Sequence, residues 1–507
     1  MENAYKTDKR IHGLFLLIAA ALGAAARWVM FDIQSGDYMS FLANWMEECT
    51  KAGGWSYIAI DPLRSELSTF NYSVGYQYVI CLLAMLRGTL PDLYLIKIVS
   101  VIFDVLCAAA AYGIVRLVTE NDKRKACVAF AVVLAMPTTV MNSAAWAQAD
   151  SIYSFFLLMS LYFLLKERPL WTWVFFGLAL AFKLQAILFL PFLIIAWLLK
   201  KTELLYIFVA AVVYVLSMVP AYLIGRPVYS LIEVYTAQVE LYTQLSMNYP
   251  NIYTVIPDNI DVYIQQMLIP AGVILTVFLF VILAYICYTK RFAVTKLSLL
   301  TLAVFTFELA VFCLPVMHER YAYAAGVMAF LYGLTGRRRF AAAVFIEALT
   351  IATYARFLFS STVIKLYPLA AVLLLIILFI AADLWTQMQI PETEEEDVDG
   401  TEHGYISEAA AHGVPRVSDV SQALSEGKDL QLKPQEGDAP EDVLTFPEEA
   451  VPTLDAIVPQ QEEAQAVSAA PGTDRDRTQP EQTTQAFHAP TLEELFGAEY
   501  ATDKDAN

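Results

Sequence analysis

The chain has 507 residues, 58% of them hydrophobic and 13% aromatic, with a mean hydropathy of +0.52. That excess of apolar side chain excludes a soluble globular protein, and several runs reach the roughly 20 residues that span a bilayer, so the sequence reads as an all-α polytopic membrane protein. The formal charge of −18 misleads as a whole-chain number, since residues 391–507 hold 28 acidic and 6 basic side chains, against 23 and 27 in residues 1–390, and no nucleic-acid partner is expected. A transmembrane domain over 1–390 and an acidic, disordered cytoplasmic tail over 391–507 are therefore expected.

The first apolar run, 11–31, follows Lys9-Arg10 and reads as an uncleaved anchor. Just past it stand Ser35-Gly36-Asp37-Tyr38. From there Phe41, Leu42, Trp45, Met46 and Cys49 recur at helical spacing, with Glu47, Glu48 and Lys51 on another face, which predicts a short interfacial helix ended by Gly53-Gly54. Asp37 is either the N-cap of that helix or a carboxylate held where water and lipid meet.

Twelve spans are predicted, over 11–31, 92–118, 126–141, 151–165, 170–182, 184–199, 204–224, 266–288, 297–315, 321–336, 340–358 and 366–386. The run 73–90 is ambiguous, and charge decides it. If it does not cross, Lys6/Lys9/Arg10, Lys123-Arg124-Lys125, Lys166/Arg168, Lys200-Lys201, Lys290-Arg291/Lys296 and Arg337-Arg338-Arg339 all fall on one side, as cytoplasmic loops require. We therefore expect 73–90 to be an external juxtamembrane or re-entrant helix, with both termini cytoplasmic and segments 32–91, 142–150, the short turn at Lys183, 225–265, 316–320 and 359–365 outside. The six cysteines lie in or beside apolar runs without metal-like spacing and read as small hydrophobes. In the tail, Thr491 with Glu494 forms a capping-box pattern, and Leu492, Leu495 and Phe496 share a face. Segment 491–500 is thus either a helix for a cytoplasmic partner or a transient helix.

Polar residues gather in the external segments. Asn142, Trp146, Gln148 and Asp150 interrupt an apolar stretch, with Asp150 opening a helix whose dipole favours a carboxylate. Lys183, in Phe182-Lys-Leu-Gln185, has apolar neighbours on both sides; a charge at that depth either serves function or snorkels to the interface. Met317-His-Glu-Arg-Tyr321 holds His318, the only histidine before the tail besides His12, and Arg320, whose guanidinium suits a phosphate. Intramembrane Lys97, Asp104 and Glu308 read as paired structural polars. Two outward carboxylates, cations and aromatic belts suit glycosyl transfer from a lipid phosphate: Asp37 deprotonates the incoming hydroxyl, while Lys183 and Arg320 hold the departing phosphate. No Gly-rich nucleotide loop is present, so a nucleotide-sugar donor has no support.

Ser35-Gly36-Asp37-Tyr38, Asn142 to Tyr153, Phe182 to Gln185, Ser246-Met-Asn-Tyr-Pro-Asn-Ile-Tyr253 and Met317 to Tyr321 resemble the corresponding segments of predicted bacterial membrane mannosyltransferases, relatives of the GPI mannosyltransferases in the GT-C superfamily. The likeness covers about residues 10–385. It implies a polyprenyl- or dolichyl-phosphate sugar donor, a glycan, lipid or protein acceptor, inverting transfer on the non-cytoplasmic face, Asp37 as base and Asp150 as a second acid; it favours a bacterial plasma membrane, and an endoplasmic reticulum membrane has the same topology. From the residues themselves we expect Lys183, Arg320 and His318 to meet the donor phosphate, and Tyr38, Trp146, Gln148, Gln185, Asn248, Asn251, Glu319 and Tyr321 to line the substrate site. Gly36-Asp37-Tyr38 carries one acid and no Asp-x-Asp, which leaves a divalent cation, Mg or Mn, an option rather than a requirement. A transporter or flippase for a lipid-linked sugar also fits twelve spans, although no internal repeat is seen and the polar groups do not sit at the midplane.

Overall fold

The computed structural model of the chain describes residues 2–389, apart from 241–243, 258–259, 291–292 and 362. Arg291, the acidic run from Glu392 to Asp399 and segment 491–500 lie outside the described residues.

Nearly every described residue belongs to a helix or to a short connection between helices. The chain opens with α1 (Glu2–Trp28), and the loop after it contains a π-helical turn (Tyr38–Leu42), α2 (Ala43–Lys51), a 3-10 turn (Gly54–Ala59) and α3 (Val74–Ala84). There follow α4 (Asp92–Val118), α5 (Lys123–Ala135) and α6 (Pro137–Val140), which runs into a second π-helical turn (Met141–Ala145). Next come α7 (Asp150–Leu165), α8 (Pro169–Phe182), a 3-10 turn (Leu184–Phe189) leading into α9 (Leu190–Leu198), and α10 (Ile207–Ile224). The last part holds α11 (Val228–Glu240), β1 (Ser246–Met247), α12 (Val262–Thr289), α13 (Lys296–Cys313), β2 (Met317–His318), α14 (Tyr323–Gly333), α15 (Arg337–Leu358) and α16 (Leu366–Met388).

Among the described residues seven helices are long and apolar enough to cross a membrane, and the α5–α6 pair, bent by 46° where Pro137 cannot continue the helix, would make an eighth. The other four expected segments are apolar helices as well, but shorter, from 11 residues in α14 to 16 in α7. At 1.5 Å per residue, α7 spans about 24 Å and falls short of a hydrocarbon layer of about 30 Å. The chain is an all-α polytopic membrane protein. The ambiguous run 73–90 holds only the 11 residues of α3, about 16 Å of helix and too short to cross. Its first turn lies on the end of α8, where a Cβ at Gly75 would come within 2.5 Å of the Ala181 carbonyl oxygen, so glycine is what permits the contact.

Two apolar clusters form the interior. One runs through α4, α5, α7 to α9 and α13 to α16; the other joins α2 and α3 through Trp45, Tyr57, Phe70 and Ile80 and is capped by Met218 of α10. Glu48, expected to face away from the apolar side of α2, turns back to accept the Tyr57 hydroxyl at 2.5 Å and Thr69 Oγ1 at 2.8 Å. All six cysteines are buried and unoxidised, and Cys49 and Cys81 meet inside this second cluster.

Lys97 and Asp104 do not pair, and the reason is their distance along α4: seven residues is about 10 Å of helix. Each instead reaches a different part of α1 and its exit. Arg27, a charge inside the first apolar run, donates through Nε to Asp104 Oδ2 at 2.9 Å and through Nη1 to the carbonyls of Gly23 and Leu134, and the Tyr323 hydroxyl completes Asp104 at 3.1 Å. Lys97 Nζ donates to the carbonyls of Met30 (3.2 Å), Phe31 (2.9 Å) and Ile33 (2.6 Å), which follow α1 and lead toward Asp37. Glu308 accepts the Tyr249 hydroxyl at 3.2 Å.

Candidate active site

Asp37 does not cap a helix. Its backbone is already helical, at φ −64° and ψ −35°, and its carboxylate makes no capping bond. Ser35 caps the turn in its place, since its Oγ accepts the Tyr38 N–H at 3.1 Å and donates to the Trp146 carbonyl at 2.7 Å, tying the first loop to the segment after α6. The Asp37 side chain is thereby left for other partners. Trp146 Nε1 donates to its Oδ2 at 2.9 Å, Gln148 Nε2 to the same oxygen at 2.5 Å, and Arg320 Nη1 stands 3.4 Å from it. All three contacts fall on one oxygen, and the side chain keeps 18% of its exposure. Asp37 and Trp146 each adjoin a π-helical turn, a distortion that often re-aims side chains at functional sites.

The second carboxylate belongs to a different kind of arrangement. Asp150 is at the first position of α7, pairs through Oδ1 with Lys183 and accepts Asn142 Nδ2 on Oδ2 at 2.9 Å. Lys183 is placed by the end of α8, where the backbone turns extended, and its ammonium lies 5.3 Å from the Tyr72 ring and 5.8 Å from that of Tyr153. Both charged side chains are almost completely buried, so Lys183 is committed to Asp150 rather than snorkelling.

The loop after α13 supplies the rest. Val316 N–H donates to the Leu245 carbonyl and Glu319 N–H to that of Met247, and β1 and β2 pair in parallel, Met247 opposite His318. This register joins two loops some 70 residues apart and turns Arg320 toward Asp37. The guanidinium also donates to Glu319 Oε1 at 3.1 Å and lies 5.5 Å from the Trp146 ring centroid. Burial, with Arg320 and Lys183 nearby, pushes His318 down to about 2, so the imidazole is neutral and any contact to a phosphate is that of a neutral ring. Burial pushes Glu319 up to about 7 against the pull of Arg320.

Two cavities flank this centre. One, of about 260 Å³, has Arg320, His318, Tyr321 and Gln185 on its walls together with Ile269 and Val273 of α12, a helix whose surface is mostly apolar and exposed. The other, of about 780 Å³, is bounded by Ser35, Gly36, Asn248 and Arg356, with Phe357 and Phe359 on its apolar side. Gln185 Oε1 is buried without a hydrogen-bond partner, as expected of a group placed for a ligand.

Several expected substrate contacts have other roles. Trp146 is fully buried, stacked on Phe357 at 4.7 Å, and with Gln148 it holds Asp37. Asn251 spends its amide on the carbonyls of Leu245 and Leu314 and its oxygen on Tyr253 N–H, so it builds the loop instead of facing a cavity. Tyr38 packs with Leu42 and Trp45 in the first-loop cluster, close to Asp92 and Leu93, because the helical turn that presents Asp37 sends the next side chain elsewhere. Asn248 accepts Arg356 Nε at 3.0 Å and lines the larger cavity. Sequence patterns do not single out Arg356, Tyr72 or Tyr354, whose hydroxyl accepts Asn142 Nδ2 at 3.3 Å. A lone arginine near the end of an apolar run is the available signal for the first, and the two tyrosines have none. Among the described residues no three His, Cys, Asp or Glu side chains gather as a metal site.

Residues 70–315 match the family model of glycosyltransferase family 87, just under half of the chain. The protein is a membrane glycosyltransferase, similar over those residues to family 87. The match favours a transferase over a transporter. It takes in Asp150, Lys183, Gln185 and Asn248 and stops short of Asp37 on one side and of His318 to Tyr321 on the other. No curated protein matches this glycosyltransferase.

Proposed function

We propose that this glycosyltransferase moves a sugar, mannose by resemblance, from a polyprenyl-phosphate donor to an acceptor hydroxyl on the non-cytoplasmic face of a bacterial plasma membrane, with inversion and with Asp37 as base. One observation carries the reading: Asp37 has one oxygen held by two donors while Arg320 beside it walls an apolar cavity bordered by the exposed helix α12. A lipid carrier entering from the bilayer would lay its chain along Ile269 and Val273 and its phosphate on Arg320. The larger cavity, reaching Gly36, would bring the acceptor to Asp37.

In the transfer, the acceptor oxygen attacks the anomeric carbon as the bond from that carbon to the phosphate oxygen breaks. Asp37 takes the hydroxyl proton, and Arg320 keeps the departing phosphate. A single displacement inverts the anomeric centre. Because attack and departure take place on opposite faces of the sugar, Arg320 has to release Asp37 to let the ring between them. Lys183 acts through Asp150, holding the floor of the site and contributing a positive field, while His318 and Gln185 offer neutral polar contacts.

The reading is tested by supplying a polyprenyl-phosphate sugar to membranes that contain Asp37→Asn at normal abundance. Transfer should vanish, and wild-type transfer by that variant removes Asp37 from the base role. The proposed face is tested by labelling single cysteines with an impermeant thiol reagent: position 91 should react from outside and position 124 should not.

A further inference from the structure

Around the Asp37 centre the charges do not balance. Asp37, Asp150 and Glu319 stand against Arg320 and Lys183, and His318 is neutral. With all three acids ionised the centre carries one net negative charge, in surroundings where water screens little. An anionic phosphate is repelled from such a place. Glu319 is the acid whose charge is least supported. It is fully buried, its Oε2 has no hydrogen-bond partner, and its one strong partner, Arg320 Nη1, is shared with Asp37. Arg320 Nε, also buried, has no partner either. An orphaned acceptor and an orphaned donor on adjacent residues mark a place completed by something from outside.

Resting on the donor reading above, we infer that Glu319 takes up one proton from solvent when the lipid phosphate binds. The carboxylate becomes a carboxyl, the net charge of the centre rises by one, Glu319 loosens its hold on Arg320 Nη1, and the guanidinium turns to the phosphate. Donor binding is thereby coupled to protonation, and the turn of the guanidinium toward the phosphate also draws it from Asp37, so that the sugar fits beside that carboxylate. The charged and titratable groups around Glu319 are Arg320 and His318 on its own loop, Asp37 from the first loop, Tyr354 of α15, and, further off, Tyr72, Asp150 of α7 and Lys183 after α8.

The test is titration calorimetry on the full-length protein in detergent with the methyl phosphodiester of a polyprenol. A diester is used because a phosphate monoester ionises again near pH 6. Measured at pH 7.5 in two buffers of different ionisation heat, the wild type should take up about half a proton to one proton per lipid bound, and Glu319→Gln close to none. Wild-type affinity should fall by up to about tenfold per pH unit above pH 7, while that of Glu319→Gln stays level. Equal proton uptake by the two proteins, or none by the wild type, overturns the inference and leaves the donor reading standing. Failure of both proteins to bind the lipid overturns both. Should Glu319→Gln not fold, the wild-type series decides alone: affinity independent of pH from 6 to 9 overturns the inference.

Discussion

Two acid–cation pairs lie near each other in this glycosyltransferase, and they are built for different ends. In Asp150–Lys183 both side chains are at most 6% exposed, each carboxylate oxygen has its partner, and two aromatic rings lie within 6 Å of the ammonium. In Asp37–Arg320 the side chains are 18% and 12% exposed, the separation is 3.4 Å, and the guanidinium keeps an unpartnered Nε. A closed pair holds structure; a loose pair with spare valence at the junction of two cavities can exchange partners. Burial sharpens the distinction, since a buried pair is costly to break from one side, while a partly open one can re-form around a ligand.

The largest expected effect that breaks the comparison open is on Asp37. Asp37→Asn should cut kcat by about 10³-fold or more with little change in donor KM, as loss of a general base does; steady-state kinetics in proteoliposomes checks this. If Asp150→Asn lowers kcat equally and leaves stability intact, the division between the pairs is wrong. Second, Lys183→Met leaves Asp150 buried without its cation and should cost about 3 to 5 kcal/mol of stability. The double variant Lys183→Met/Asp150→Asn should regain much of that, measured by thermal unfolding in detergent. A stable Lys183→Met that has lost only donor affinity would move Lys183 to the phosphate. Third, Arg320→Lys keeps the charge but not the fork and should weaken donor binding by roughly 10-fold. Fourth, Trp146→Phe removes one donor to Asp37 while keeping the stack on Phe357, and a fall in kcat of about 5- to 20-fold is expected from a lost bond to a charged group. The smallest effect sharpens the comparison from outside it: Asn251→Ala should lower the melting temperature by a few degrees through lost loop bonds, with donor KM unchanged.

What could be read from the residues divides along physical lines. Hydropathy is a local property, so every expected span is found as helix, whereas the side on which the run 73–90 lies is read from the placement of lysines and arginines elsewhere. Asp37, Lys183 and Arg320 stood out because a charge beside a long apolar run is expensive unless something uses it. Arg27 meets the same criterion inside the first span, where it anchors Asp104, yet the apolar run around it hides the pairing. Asn251 and Trp146 were misplaced for the opposite reason: polar side chains in a loop look alike whether they bind the chain's own carbonyls or a substrate. Tyr38 shows how one residue of helical turn separates neighbours in sequence into different surroundings.

Composition and pattern alone determined that this chain is a bundle of apolar helices with most of its charged and polar groups in the connections, because burial in lipid constrains each segment by itself. Only the tertiary structure decided which acid meets which cation. Arg320 reaches Asp37 through a two-residue strand pairing between loops distant in sequence, and Lys183 reaches Asp150 because α7 begins beside the place where α8 ends. Pairing is a matter of a few ångströms across helices far apart in the chain, and no local pattern carries that distance.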